Sequence, residues 1–216
     1  MKVDVKFEFL EKRNYIHSTS MTYSLISQLI KHNFIASQDD LVFIDAAFRK
    51  ENYNNGYFLI DEEAAGANTV YSIKLKEKKF KVYYMEYDSP VLSRVPYDEN
   101  KLVEDAVVNI EDASVTMPIS KSVDNLYNIL VAATKKMITK LFPQDDYTPW
   151  TLARFSLNWS QLHNTLFNFD HISIDGGGNF FTIKLVNNLD DIYLKSDVFI
   201  NNEKYGSFYN ARHKRE

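Results

Sequence analysis

An α+β fold built from two similar halves is what this 216-residue sequence predicts. Three observations carry the prediction. Segments with strict apolar–polar alternation recur along the chain, as half-buried strands require. Two longer stretches space their apolar residues by three and four, as helices require. Four short matches also occur in both halves, in the same order. Tyr23-Ser24-Leu25-Ile26 aligns with Tyr127-Asn128-Ile129-Leu130, and Gln38-Asp39-Asp40 with Gln144-Asp145-Asp146. Ser72-Ile73-Lys74-Leu75 aligns with Thr182-Ile183-Lys184-Leu185, and Val82-Tyr83-Tyr84 with Ile192-Tyr193-Leu194. The offsets rise from 104 to 106 to 110, so two small insertions bring the halves into register.

The elements follow in order. Val3, Val5, Phe7 and Phe9 alternate with charged residues and read as a strand. Ser18-Thr19-Ser20, a run of good N-caps, then opens a helix from Met21 to Lys31. Lys31 and His32 sit where cations complement a helix C-terminus. Four strand candidates come next: Leu41 to Phe48, Tyr57 to Ile60, Thr69 to Lys76, and Phe80 to Tyr87. The second half repeats that order. Ala106 to Met117 reads as extended, and Ser122-Val123-Asp124 opens a helix through Leu126, Leu130, Ala133, Met137 and Leu141, which Pro143 ends. Thr148 to Ser156, Leu166 to Ile174, Phe180 to Val186 and Ile192 to Ile200 read as strands. Gly176-Gly177-Gly178 and Asn187-Asn188 mark connections. The predicted boundaries are 1–95 for the first repeat, 105–200 for the second, and 201–216 for a C-terminal tail.

Composition narrows the function classes. Hydrophobic residues make up 45%, enough for a sizeable core, so wholesale disorder is excluded. Without cysteine there is no disulfide, thiolate zinc site, iron–sulfur cluster or cysteine nucleophile. A net charge of −4 argues against a general nucleic-acid binder, which would carry a basic surplus. The charged, alternating N-terminus lacks the apolar core of a secretory signal. No stretch approaches the roughly 18 apolar residues of a spanning helix. The expectation is a soluble, cytoplasmic protein that makes no membrane or nucleic-acid contact and calls for no cofactor.

A strand, a mostly apolar helix and an antiparallel meander, in that order, resemble the hotdog fold, in which a curved sheet wraps one long helix. The run Ile129-Leu130-Val131-Ala132-Ala133 is apolar on nearly every side, as a wrapped helix would be. Two copies resemble a double hotdog, with sheets joined edge to edge and two central helices. The competing fold is an unrelated α+β domain whose halves look alike by coincidence. The resemblance implies acyl-thioester binding, with the acyl group carried on coenzyme A or acyl carrier protein. The chain would then be a thioesterase or hydroxyacyl dehydratase relative in fatty-acid or polyketide-type metabolism. The alternative is a non-catalytic protein of this fold that binds partners. A homodimer is left open.

In such relatives the thioester carbonyl lies near the start of the central helix, so the segments leading into the two helices hold the candidate residues. In the first, His17 is the best-placed group for proton transfer near neutrality, and Ser18 and Thr19 could bind substrate or merely cap the helix. In the second, Asp124 could activate water or simply favour the helix N-terminus, and Asn125 is a candidate substrate contact. Catalysis would then draw on both halves. The first helix carries no carboxylate between Ser18 and His32, and the Gly-His-Phe-Pro-like segment of dehydratases is missing; both are departures from that pattern. No metal is expected, since the eight-residue spacing of His163 and His171 does not match a helical metal pair. Lys74, Lys76, Lys78, Lys79 and Lys81 gather around one hairpin. They could meet an acidic carrier or the phosphates of coenzyme A, or guard an exposed sheet edge.

Overall fold

The computed structural model describes residues 1–118, 126–143, 149–162 and 180–212. It divides into two compact units, Met1–Asp98 and Glu99–Glu216. The class is α+β: each unit combines one long helix with an antiparallel sheet.

The first unit begins with β1 (Lys2–Val5), β2 (Phe9–Leu10) and α1 (Ser18–Lys31). A single 3-10 turn (Gln38–Asp40) leads into β3 (Leu41–Phe48), β4 (Asn54–Ile60), β5 (Thr69–Leu75), β6 (Lys79–Pro90) and β7 (Arg94–Val95). Its main sheet has the order β1-β4-β6-β5-β3, with every neighbour antiparallel. This corrects the expected meander, because only β5 and β6 are both consecutive and paired. The connection through residues 61–68 is long enough for β5 to leave a place beside β4, which β6 then fills. Alternation sets the buried face: Phe58 and Ile60 on β4, Tyr71 and Ile73 on β5, and Val82 and Tyr84 on β6 are all buried. Met21, Leu25 and Leu29 of α1, each fully buried, belong to the same core. The contacts between Phe58 and Tyr71 (6.3 Å), Phe58 and Tyr84 (5.5 Å), and Phe7 and Tyr84 (5.7 Å) form an aromatic cluster in it.

The second unit contains α2 (Glu99–Leu102), β8 (Val107–Asn109), β9 (Ser114–Pro118) and α3 (Leu126–Leu141). After these come β10 (Thr151–Leu157), β11 (Phe180–Leu189), β12 (Tyr193–Ile200) and β13 (Glu203–Ala211). The sheet order is β10-β13-β12-β11-β9-β8, again antiparallel throughout. Residues 203–211, expected in a terminal tail, instead form β13 between β10 and β12. The physical reason is the Asn201-Asn202 turn, with φ of 49° and 67° at its two central residues, the left-handed values of a tight hairpin. Tyr205 and Phe208 then return to the core. On α3, Leu130 to Thr134 form an unbroken buried run, as expected of a wrapped helix, and Met137 is fully buried; Leu126 and Ile129 are half-buried. Tyr127 packs on Phe155 of β10 (4.8 Å between ring centroids) and on Phe208 of β13 (6.2 Å).

Among the described residues, each unit places strands before its long helix and four strands of its main sheet after it, but the two strand orders differ. Tyr23 and Tyr127 both lie on the long helices, and the matched β6 and β12 segments both take the middle of their sheets. The matched segments 72–75 and 182–185 do not correspond: β5 lies between β6 and β3, whereas β11 lies between β12 and β9. The expected strand Leu166 to Ile174, Gly176-Gly177-Gly178, His163 and His171 lie outside the described residues.

Two glycines are fixed by close approach of neighbouring strands. A Cβ on Gly206 would lie 2.3 Å from the Ser156 carbonyl oxygen and 3.0 Å from Leu157 Cα, both backbone atoms of β10. The Gly206→Ala variant should therefore lose about 1–3 kcal/mol or more, because it overfills a well-packed contact. Urea denaturation measures this, and an unchanged midpoint would contradict the register of β10 against β13. Gly56 is tighter still, with Met85 O only 2.0 Å from such a Cβ.

Candidate functional site

The site is built around the start of α1. The segment before it is held on two sides. The Arg94 guanidinium donates to the carbonyls of Glu11 (3.0 Å) and Arg13 (2.6 Å) and to Asn14 Oδ1 (2.8 Å). Ile16 N donates to Asn52 O at 2.6 Å, tying the segment to the loop between β3 and β4. His17 is thereby placed at the N-cap with φ −70° and ψ 140°, an extended conformation. Its ring is 6% exposed, and Nδ1 lies 2.7 Å from Thr19 Oγ1. The Tyr97 ring is 6.0 Å away, with the Arg13 guanidinium over it at 5.1 Å.

Ser18 and Thr19 occupy the first turn of α1, and the cap position belongs to His17. The expected capping role of Ser18-Thr19-Ser20 is thus corrected: the N-cap is His17, whose side chain makes no cap bond, and no acidic residue stands in the first turn. A helix start leaves its first backbone N–H groups without intrahelical acceptors and carries partial positive charge. Thr19 is 1% exposed and spends its hydroxyl on His17. Thr22 Oγ1 donates back to Ser18 O at 2.8 Å and lies 3.4 Å from Tyr71 OH.

Asn52 is the member of this cluster that sequence reasoning missed. It is 2% exposed, and its Nδ2 donates to Thr69 Oγ1 (3.2 Å) and Met21 Sδ (3.3 Å). Its Oδ1 is buried and has no hydrogen-bond partner among the described residues. Such an acceptor is costly to leave unmade, by about 1–3 kcal/mol. The available signal was the polar cluster Asn52-Tyr53-Asn54-Asn55 between two strands, but such a cluster reads as an ordinary loop. The carboxylate of the neighbouring Glu86 has a structural job. Its Oε1 accepts from Asn54 N (2.8 Å) and Tyr53 N, and its Oε2 accepts from Asn68 Nδ2 (2.7 Å), pinning the start of β4. Asp124 and Asn125 lie outside the described residues.

Burial pushes the Tyr71 hydroxyl well above its ordinary range, with the Thr22 contact a smaller opposing effect. Tyr84 is likewise raised by burial and then by the nearby Glu86 charge. A raised folded pKa means that the unfolded chain releases its proton first. Stability should thus be intact below about pH 10 and fall above it, by up to about 1.4 kcal/mol per pH unit for each such tyrosine. Denaturation at a series of pH values checks this. The Tyr71→Phe variant should show a shallower alkaline decline, and an identical slope would contradict the burial of this hydroxyl.

No family model matches the chain, and no curated protein matches it. Solved structures do show likeness. An acyl-ACP thioesterase from Bacteroides thetaiotaomicron is 12% identical, with 99% of this chain and 97% of that one covered and a TM-score of 0.48. The 12:0-ACP thioesterase from Umbellularia californica is 7% identical over 100% of this chain and 97% of that one, with a TM-score of 0.49. The dehydratase domain of PpsC from Mycobacterium tuberculosis, in complex with C12:1-CoA, is 8% identical, with 98% and 92% covered and a TM-score of 0.46. Among the described residues no helix is long and apolar enough to cross a membrane.

Proposed function

We propose that the chain binds an acyl thioester, carried on coenzyme A or on acyl carrier protein, with the thioester carbonyl at the start of α1. The observation that carries this reading is the buried His17 at the N-cap of α1, where its own side chain makes no cap bond. Backbone N–H groups there suit the negative charge that develops on a thioester oxygen. An imidazole at the same place suits proton transfer near neutral pH. The His17–Thr19 contact orients the ring, and Thr19 is in this reading a positioning residue. Ser18 contributes through its backbone N–H. Asp124, with Asn125, is the acid we assign to the approach to the second helix, and Asp124→Asn should lower turnover.

The chemistry is hydrolysis of the thioester, giving the free acid and the carrier thiol, or loss of water from a hydroxyacyl group, and the cytoplasm is the compartment this implies. A homodimer is compatible with the reading, and light scattering of the purified chain decides it. A non-catalytic, partner-binding role is the second reading. It is favoured by the lack of any carboxylate along α1 and by the full engagement of Glu86 with backbone and Asn68. Assay of a panel of acyl-CoA and acyl-carrier substrates separates the two readings. Turnover that depends on His17 supports the first. Bound acyl ligand without turnover supports the second, and neither binding nor turnover contradicts the proposal.

A further inference from the structure

The lysine hairpin does not guard an edge. β5 and β6 stand in the interior of the first unit's sheet, with β3 on one side and β4 on the other. Lys74 lies directly opposite Lys79, and Ser72 opposite Lys81. Alternation turns all four to the face opposite the buried Tyr71, Ile73, Phe80 and Val82, and all four are exposed. Like charges directly across a strand pair are destabilising, so this placement works against the fold. No ion pair among the described residues relieves Lys74, Lys79 or Lys81. Lys78, in the turn, is instead paired with Asp61 at 2.8 Å, and Lys76 acts on the Asp40 carboxylate. The neighbouring outward positions on β3 are Phe43, opposite Lys74, and Asp45, opposite Ser72.

We propose that this face docks an acidic helix of a partner protein. Lysines facing one another across strands are about 5 Å apart, and lysines two residues apart on a strand about 7 Å. Carboxylates at i and i+4 on a helix are about 6 Å apart, a spacing that meets both. A phospholipid surface fits less well, because polybasic membrane sites gather about four to eight cations and this face offers three. The sheet itself separates the lysines from α1 and His17, which lie on its other side, so the face is an anchoring surface. The inference goes beyond the acyl-thioester reading and does not depend on it.

The test titrates the isotope-labelled full chain with a stapled helical peptide bearing glutamates at i, i+4 and i+7, and with its glutamine counterpart. Expected are chemical-shift changes on β3, β5 and β6 with the glutamate peptide alone, and an affinity that falls as salt rises. The variant combining Lys74→Gln, Lys79→Gln and Lys81→Gln should bind about tenfold more weakly, the scale of three exposed ion pairs acting together. Its thermal midpoint should be equal or higher, since a like-charge pair is removed. A control variant combining Lys140→Gln and Lys184→Gln, exposed lysines elsewhere, should bind as the wild type does. Equal binding by the triple variant, or by the glutamine peptide, would overturn the proposal. So would co-sedimentation with phosphatidylglycerol vesicles in place of peptide binding.

Discussion

On the proposed reading, the His17→Ala variant should lose about a hundredfold to ten-thousandfold in acyl-thioester turnover, the usual worth of a positioned general base. The expectation follows from the site. His17 is 6% exposed, held 2.7 Å from Thr19 Oγ1, and set at the N-cap of α1, where its side chain makes no cap bond. Removing it deletes the group proposed for proton transfer but leaves the backbone donors. Substrate affinity should therefore change far less than the maximal rate. Because His17 is buried, its loss could also disturb the start of α1. The His17→Gln variant addresses that, since it keeps polar bulk while lacking the imidazole. Circular dichroism should show both variants folded, and both should be slow. Wild-type rates in either folded variant would remove His17 from the chemistry.

The second large effect concerns stability. Leu130→Ala should cost about 2–5 kcal/mol through lost contact and the cavity left behind. Leu130 is fully buried, within the unbroken buried run from Leu130 to Thr134. One turn before it, Tyr127 packs at a tilt on Phe155 and stacks on Phe208, so the helix cannot easily shift to close the gap. Equilibrium denaturation in urea measures the loss. A cost below about half a kcal/mol would be typical of a surface position and would contradict a helix wrapped by its sheet.

Much of this fold is legible residue by residue. β3 is readable as Leu41 to Phe48 because its ends fall at polar turn residues and Val42, Phe43, Ile44 and Phe48 are β-branched or aromatic. The two long helices are readable because their apolar spacing is long and regular. Strand order is another matter. Nothing local in β4, β5 or β6 says that β6 will sit between the other two, since pairing is decided by long-range complementarity and connection length. β13 escaped because Lys204, Tyr205, Gly206 and Ser207 read as a polar run. The cue was the Asn201-Asn202 pair, whose left-handed backbone turns the chain back on β12.

The site was legible in one place and hidden in another. His17 stands out from sequence because titratable groups just before an apolar helix are few. That it, and not the serines after it, takes the cap position depends on the Arg94 and Asn52 contacts to the preceding segment. Those contacts come from residues 35 and more positions away, beyond the reach of any local rule. The same distance hides Asn52, whose orphaned Oδ1 becomes informative only once burial is known. The lysine hairpin shows the reverse case. Its charge is plain in the sequence, but its meaning changes once β5 and β6 prove to be interior strands.

The most direct test of the central claim is photoaffinity labelling of the whole chain. The probe is an acyl-coenzyme A thioether bearing a diazirine beside its sulfur, with the modified peptides mapped by mass spectrometry. The account predicts labelling at the start of α1 and the adjoining loop, in the peptides that contain His17 to Met21 and Asn52. An excess of unmodified acyl-coenzyme A should suppress that labelling. Labelling confined to other surfaces, or unaffected by the competitor, would contradict an acyl-thioester site at His17.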